Sequence, residues 1–185
     1  YTAAVVYALG SFLEERFPHE ETPFYTAFFS SAGVEEAVKF LFLFFLIWGN
    51  RNFNEPLDGI VYGVFVSLGF AWAENVIYVT HPILGGYKTA LERALLSVPG
   101  HGLFGIRMGY YFALGKYRSR KRYLPLAFFS PYLAHALYNY FLLKREPVFW
   151  LFFSVLEARL WVFGLKRIKE LQNCSPFREK VSKES

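Results

Sequence analysis

Long apolar stretches separated by short polar connections dominate this chain. An α-helix needs about 20 apolar residues to cross the bilayer core, and six stretches fit this pattern, the first of which we expect to be the remnant of a longer span. They cover residues 1–13, 24–48, 57–79, 91–114, 123–143 and 147–165. Turn and helix-breaking residues such as Pro, Gly and Asn fill the connections. The pattern predicts an all-α, polytopic membrane helix bundle of about six transmembrane helices in residues 1–165, followed by a polar tail in residues 166–185.

Composition supports a membrane protein and excludes other classes. Hydrophobic residues make up 54% of the 185 residues and charged residues 19%, whereas a typical soluble domain has about 45–50% and about 25%. The basic residues behind the formal net charge of +5 sit in short clusters between apolar runs, which is typical of proteins in contact with membrane lipid and not of nucleic-acid binding. The single cysteine, Cys174, excludes a disulfide scaffold and lies too far along the tail to act as a nucleophile.

The distribution of Lys and Arg predicts the orientation. The densest cluster, KYRSRKR at residues 116–122, is expected on the cytoplasmic side. Alternation of the spans then places residues 49–56 and the C-terminal tail on the same side. Twelve Lys and Arg residues fall there and five on the opposite side, so we expect a cytoplasmic C-terminus.

Ionisable residues inside the spans mark the candidate functional site, because each mid-helix charge costs about 2.5–3.5 kcal/mol on insertion scales. Four spans place such residues 5 to 12 positions from their outer ends, within a slab of roughly 10 Å in the outer half of the bilayer. These residues are Glu35, Glu36, Glu74, His101 and His135. Arg107, Glu157 and Arg159 lie in the fourth and sixth spans, and we interpret the last two as structural.

Helical spacing adds two residues to the candidate site. Lys39 follows Glu35 by four positions and Asn139 follows His135 by four, so each pair shares a helix face. Glu36 points about 100° away from Glu35 on the same helix, so the two carboxylates need not share a role. The run SVPGHGLFG, around His101, indicates either a broken helix open to a substrate or a kinked helix packed closely on a neighbour.

Four segments in order along the chain resemble one known family. GVEEAVKF, FAWAENVIY, the stretch around His101 and HALYN are similar to motifs of the PrsW family of intramembrane proteases, over about residues 24–143. The related CAAX prenyl endopeptidases usually have His in place of Glu74 and Arg in place of Lys39. The resemblance implies a bacterial cell-membrane protease that makes the first, extracytoplasmic cut in a single-span anti-sigma factor.

Peptide hydrolysis requires an activated water, a polarised carbonyl and a proton donor for the leaving amine. Glu35 is the first candidate for the general base, with Lys39 or Glu36 holding it, and Glu36 is the alternative base. His135 and Asn139 are candidates to donate hydrogen bonds to the oxyanion. Two imidazoles and one carboxylate from Glu74, His101 and His135 make an acceptable zinc site with an open position for water. A metal-free glutamate mechanism remains open.

Other functions are also consistent with the sequence. Buried Glu, Lys and His on several helices are typical of proton-coupled transporters and channels, although no internal repeat is apparent. A CAAX-type prenyl-protein endopeptidase and a non-catalytic immunity-type membrane protein are further alternatives. The oligomeric state is not predicted by any feature of the sequence.

Overall fold

A computed structural model describes residues 22–81, 85–118 and 122–177. These residues form five helices and no strand, which confirms the all-α prediction. Helix α1 runs without a break through Pro23–Tyr25, a π-helical segment at Thr26–Gly33 and Val34–Ile47, and α2 covers Pro56–Thr80. Helix α3 consists of Tyr87–Glu92, a second π-helical segment at Arg93–Ser97 and Val98–Tyr117. Helices α4 and α5 cover Tyr123–Lys144 and Pro147–Asn173.

The helices agree with five of the predicted spans, while residues 1–13 lie outside the described residues. The main difference is at the C-terminal end, where α5 continues eight positions past residue 165 to Asn173. Ile168 and the buried Leu171 extend the apolar stripe of α5 onto Ile60 and Leu114. The first part of the predicted polar tail is therefore helical, because these two residues bury one face of it.

Two of the helices, α2 and α5, are long and apolar enough on their own to cross a membrane, within the part of the chain that the structure describes. Their surfaces carry large apolar side chains that a soluble protein would bury, such as Phe65 at 73% exposure and Val162 at 68%. Helices α1, α3 and α4 carry the buried ionisable residues Glu35, Glu36, Lys39, His101 and His135. The count of six spans remains a prediction.

Helix α3 lies at the centre of the bundle. It packs most extensively against α2 and then against α4. Glycines permit the close approach to α2: a Cβ atom added at Gly63 would lie 2.5 Å from the backbone oxygen of Gly105. On the opposite side, Leu103 and Phe104 of α3 pack with Tyr138 and Phe153 of α4 and α5. The central helix thus fixes the position of its own His101 relative to both neighbours.

The stretch around His101 is a continuous helix. The π-helical segment Arg93–Ser97 runs directly into Val98, so the turn ahead of Pro99, which has no N–H to donate, accommodates the proline without a break. Gly100 lets the Tyr138 ring approach, since a Cβ atom there would lie 3.2 Å from Tyr138 Cζ. Of the two interpretations of this stretch, the structure favours close packing on a neighbouring helix.

Candidate functional site

One hydrogen-bonded network contains all seven residues that the sequence singled out. Helix α1 supplies three of them, α2 and α3 one each, and α4 two. Five are almost completely buried, with exposures between 0 and 6%: Glu35, Glu36, Lys39, His101 and His135. Charged groups are rarely buried in this way unless they are paired, so the network is what makes their burial tolerable.

A closed ring of hydrogen bonds joins α1 to α4. Lys39 Nζ lies 2.7 Å from Glu36 Oε1 and 3.4 Å from Glu35 Oε2, so one ammonium group holds both carboxylates. Ser31 Oγ donates to Glu35 Oε1 at 3.0 Å and accepts from Asn139 Nδ2 at 2.9 Å. The ring closes through His135, which contacts both Asn139 and Glu36.

The partners of His135 determine its tautomer. Its Nδ1 lies 2.9 Å from Glu36 Oε1, and a carboxylate only accepts, so Nδ1 carries the proton. Its Nε2 lies 3.2 Å from Asn139 Nδ2, an amide donor, and therefore has the lone pair. The carboxylate–histidine pair leaves a basic nitrogen directed away from Glu36, which is the usual arrangement behind a metal-ligating imidazole.

His101 lies between two oppositely charged partners. Lys39 Nζ is 2.9 Å from its Nδ1, and since an ammonium group only donates, Nδ1 accepts. The proton on Nε2 is then donated to Glu74 Oε2 at 3.1 Å. Arg93 Nη2 contacts the same carboxylate oxygen at 2.9 Å, so Glu74 joins the π-helical segment of α3 to the imidazole.

Aromatic rings and one serine hold the imidazoles in place. The Phe104 ring stacks on His135 with 4.6 Å between ring centroids, and Lys39 Nζ lies 4.6 Å from the centre of the Phe70 ring. Ser67 donates to the backbone oxygen of His101 at 2.6 Å. The Phe70 and Ser67 contacts cover the side of the network that faces away from the cavity, and the opposite side lines the cavity.

A cavity of about 710 Å³ reaches the network from one side. Side chains of all five helices line it, including Ser31, Glu74, His101, His135 and Asn139. Its volume is within the roughly 300–1,000 Å³ that ligand-binding pockets occupy. Glu35 is not among the lining residues and lies behind Ser31, which donates a hydrogen bond to it.

Three of the ligand-type side chains converge closely enough to hold a metal ion. One ligand atom each from Glu35, His101 and His135 lies within 4.8 Å of the other two, and all three residues are buried. Two imidazoles and one carboxylate leave an open position for water at a zinc ion. The second oxygen of Glu36 is buried and has no hydrogen-bond partner in the described residues, which leaves negative charge beside the set. The donor types therefore fit a divalent cation, whose binding would displace the Asn139 amide from His135 Nε2 and the Lys39 ammonium group from His101 Nδ1.

The carboxylate in this set differs from the one that the sequence predicts. The predicted set was Glu74, His101 and His135, and Glu74 does contact His101, but only Glu35 approaches both imidazoles. Glu35 lies on the α1 face that meets α4, whereas Glu74 is held towards α3 by Arg93. The assignment of the ligands remains a prediction.

The remaining charged residues of the predicted spans lie apart from the network. Arg107 donates to Ser130 Oγ from Nε and Nη2, at 3.0 and 2.8 Å, and its guanidinium covers the Phe163 ring. Glu157 and Arg159 are on α5 and contribute nothing to the cavity lining or to the network. Their interpretation as structural residues is unchanged.

Two members of the site were missed from the sequence. Ser31 precedes Glu35 by four positions, so the i,i+4 spacing that identified Lys39 could also have identified this serine. Arg93 follows Glu74 by 19 positions and lies on another helix, so no local spacing signals its contact. Only the packing of α2 against α3 brings Arg93 to Glu74.

Comparisons with known proteins agree with one another. The profile of a family described as "PrsW family intramembrane metalloprotease" matches residues 1–163. Proteins named "Protease PrsW" are similar to the chain: that of Geobacillus kaustophilus is 39% identical over 152 residues, which cover 80% of this chain and 65% of the relative. The counterpart in Oceanobacillus iheyensis is 40% identical over 148 residues, covering 79% and 67%. That of Bacillus subtilis is 35% identical over 154 residues, covering 81% and 68%.

The chain spans about two thirds of the length of these curated relatives. No solved structure matches it significantly.

Proposed function

Because the chain belongs to the PrsW family of intramembrane metalloproteases, we propose that it hydrolyses a peptide bond in a membrane-anchored protein. The observation that supports this most directly is the convergence of Glu35, His101 and His135 beside a cavity large enough for a peptide segment. Three buried ligand-type groups from three helices are costly to bring together, and a hydrolytic metal centre accounts for that cost.

The three converging residues are proposed to hold a zinc ion. When bound, such an ion polarises the scissile carbonyl and the attacking water. Glu35 provides the negative charge of the set, and Lys39 fixes its orientation from the buried side. Glu36 fixes the ring of His135 through Nδ1.

Glu74 is the proposed proton carrier. It lines the cavity and is partly exposed, unlike the buried Glu35 and Glu36. It accepts a proton from the attacking water and returns it to the nitrogen of the leaving amine, so that protons balance over the reaction. The Asn139 amide, also in the cavity lining, would donate a hydrogen bond to the developing oxyanion through the N–H that contacts His135 Nε2 in this structure.

The proposed substrate is a single-span membrane protein of the anti-sigma-factor type. The resemblance of the motifs to the PrsW family and the predicted depth of the site support a cut near the extracytoplasmic membrane surface. In this proposal the protein is a multi-pass protein of a bacterial cell membrane with a cytoplasmic C-terminus, and the site lies in the outer half of the bilayer.

Paired measurements on Glu35→Gln test the proposal. The first is cleavage of a tagged single-span anti-sigma factor co-expressed in bacteria, and the second is the zinc content of the purified protein. We expect the variant to lose at least about 100-fold in cleavage, a typical contribution of one catalytic group, and to lose the metal as well. Loss of cleavage with full zinc content would instead assign Glu35 as the general base.

Glu92→Gln is the matched control, because it removes the same charge from an exposed part of the cavity lining. It should retain both cleavage and zinc. Cleavage that survives in both Glu35→Gln and His135→Ala would overturn the assignment as a protease of this site.

A further inference from the structure

Three cationic side chains line the cavity, and two of them are paired with a carboxylate in the described part of the chain. Lys88 Nζ lies 3.7 Å from Glu92 Oε1, and Arg93 is held by Glu74. Arg145 also lines the cavity, and it forms no ion pair in the part of the chain that the structure describes. Arg145 is exposed, so a negative charge entering the cavity meets a cation that no acidic side chain of the described residues neutralises.

Arg145 has a backbone conformation that is unfavourable for a residue other than glycine. Helix α4 ends at Lys144, and Arg145 follows in the left-handed conformation with φ 53° and ψ 9°. Glycine or asparagine is usual at such a position, and a residue with a larger side chain loses about 1–2 kcal/mol there. Among the described residues other than glycine it is the only one with positive φ. Pro147 then begins α5, which keeps the connection short and the arginine at the cavity mouth.

Helical geometry gives the approximate separation, along the α4 axis, of the backbone positions of Arg145 and Asn139. Arg145 follows Asn139 by six positions, which corresponds to about 9 Å along a helix axis at 1.5 Å per residue. An extended peptide advances about 3.3 Å per residue. A substrate strand whose scissile bond lies at Asn139 therefore passes Arg145 about three residues away.

We propose that Arg145 is a specificity residue that binds an acidic side chain of the substrate, Asp or Glu, about three residues from the scissile bond towards the cavity mouth. This rests on the proposed peptidase function and adds a substrate preference to it. Arg145 takes no part in the bond-breaking step.

Charge exchange between enzyme and substrate tests this proposal. In a cleaved anti-sigma factor whose cut has been mapped, the residues two to five positions from the cut on the extracytoplasmic side are changed in turn to Asp, Asn or Lys. The wild-type enzyme should cleave the best Asp variant about threefold to fivefold faster than the Asn variant, as expected for one partly solvated charge pair. It should cleave the Lys variant more slowly than either.

The enzyme variants separate charge from structure. Arg145→Glu should reverse the order, so that the Lys substrate is cleaved fastest. Arg145→Gly suits the left-handed backbone and should make the three substrates equal. Lys166→Glu, an exposed charge reversal on α5 outside the cavity lining, should keep the wild-type order.

The outcomes also separate this proposal from the proposed function. If cleavage depends on Glu35 but the Arg145→Glu enzyme keeps the wild-type order, Arg145 is not a specificity residue and the peptidase assignment stands. If the wild-type enzyme cleaves no unaltered anti-sigma factor, the peptidase assignment fails and this proposal fails with it.

Discussion

Glu36 joins the lysine of α1 to the histidine of α4. One of its oxygens accepts from both Lys39 Nζ and His135 Nδ1, and the residue is fully buried. A carboxylate on the far nitrogen of a ligating imidazole fixes its tautomer and increases its basicity. In the proposed metal centre, Glu36 therefore acts through His135 and has no direct contact with the ion.

Glu36→Gln should weaken zinc binding about 10-fold to 100-fold, the usual effect of removing such a partner. An amide can still accept from His135 but no longer offers a full negative charge. The measurement is competition with a chelator on purified protein, which reads metal affinity without requiring cleavage. Glu157→Gln, which neutralises a carboxylate of α5 outside the network, should bind zinc as the wild type does, and equal affinities in both variants would contradict this role.

The contacts within single helices could be predicted at the residue scale, and those between helices could not. Glu35 with Lys39 and His135 with Asn139 are four apart, and both contacts are confirmed. The bond from Glu36 to His135 joins residues 99 positions apart. Such pairs depend on how α1 is rotated against α4, and the π-helical segment at Thr26–Gly33 changes that rotation in a way that regular helical spacing does not predict.

Two glycine pairs set the contact between α2 and α3. Gly59 and Gly63 on α2 face Gly105 and Gly109 on α3, so each helix presents glycines four positions apart to the other. This spacing lets helix backbones approach closely inside a membrane. Ser67, one turn beyond Gly63, donates to the backbone of His101. The glycine contact thus sets the distance between α2 and the candidate site.

Gly63→Ala should destabilise the protein, because its Cβ atom would meet the backbone oxygen of Gly105, which cannot rotate away as a side chain can. Overpacking of this kind costs about 1–3 kcal/mol, which thermal unfolding in detergent should register as a lower midpoint. Gly69→Ala is the matched control on the same helix, since its Cβ atom would meet open space. An unfolding midpoint as high in Gly63→Ala as in Gly69→Ala would show that this contact tolerates a side chain.

For the molecule as a whole, the hydrophobic pattern was enough to predict the helices but not every boundary. Helix α4 begins at the predicted residue, Tyr123, and ends one position late. Helix α5 runs past its predicted end because Leu171 becomes buried against two other helices, and burial of this kind depends on tertiary packing. The polar residues that were predicted to share one slab do form one cluster. Rotating a helix about its own axis does not change how far along that axis a residue lies, so this grouping could be predicted without knowing the rotations.

Orientation in the membrane can be tested with the cysteine that the chain already has. Cys174 is the only cysteine in the sequence and is exposed just beyond the end of α5. If the C-terminal tail is cytoplasmic, as the distribution of Lys and Arg predicts, a membrane-impermeant maleimide should leave Cys174 unlabelled in intact cells and label it after permeabilisation. In a Cys174→Ser background, Lys88→Cys should show the opposite, because Lys88 is 89% exposed at the outer end of α3. Labelling of Cys174 in intact cells would reverse the orientation and place the cavity mouth on the cytoplasmic side, where an extracytoplasmic cut could not occur.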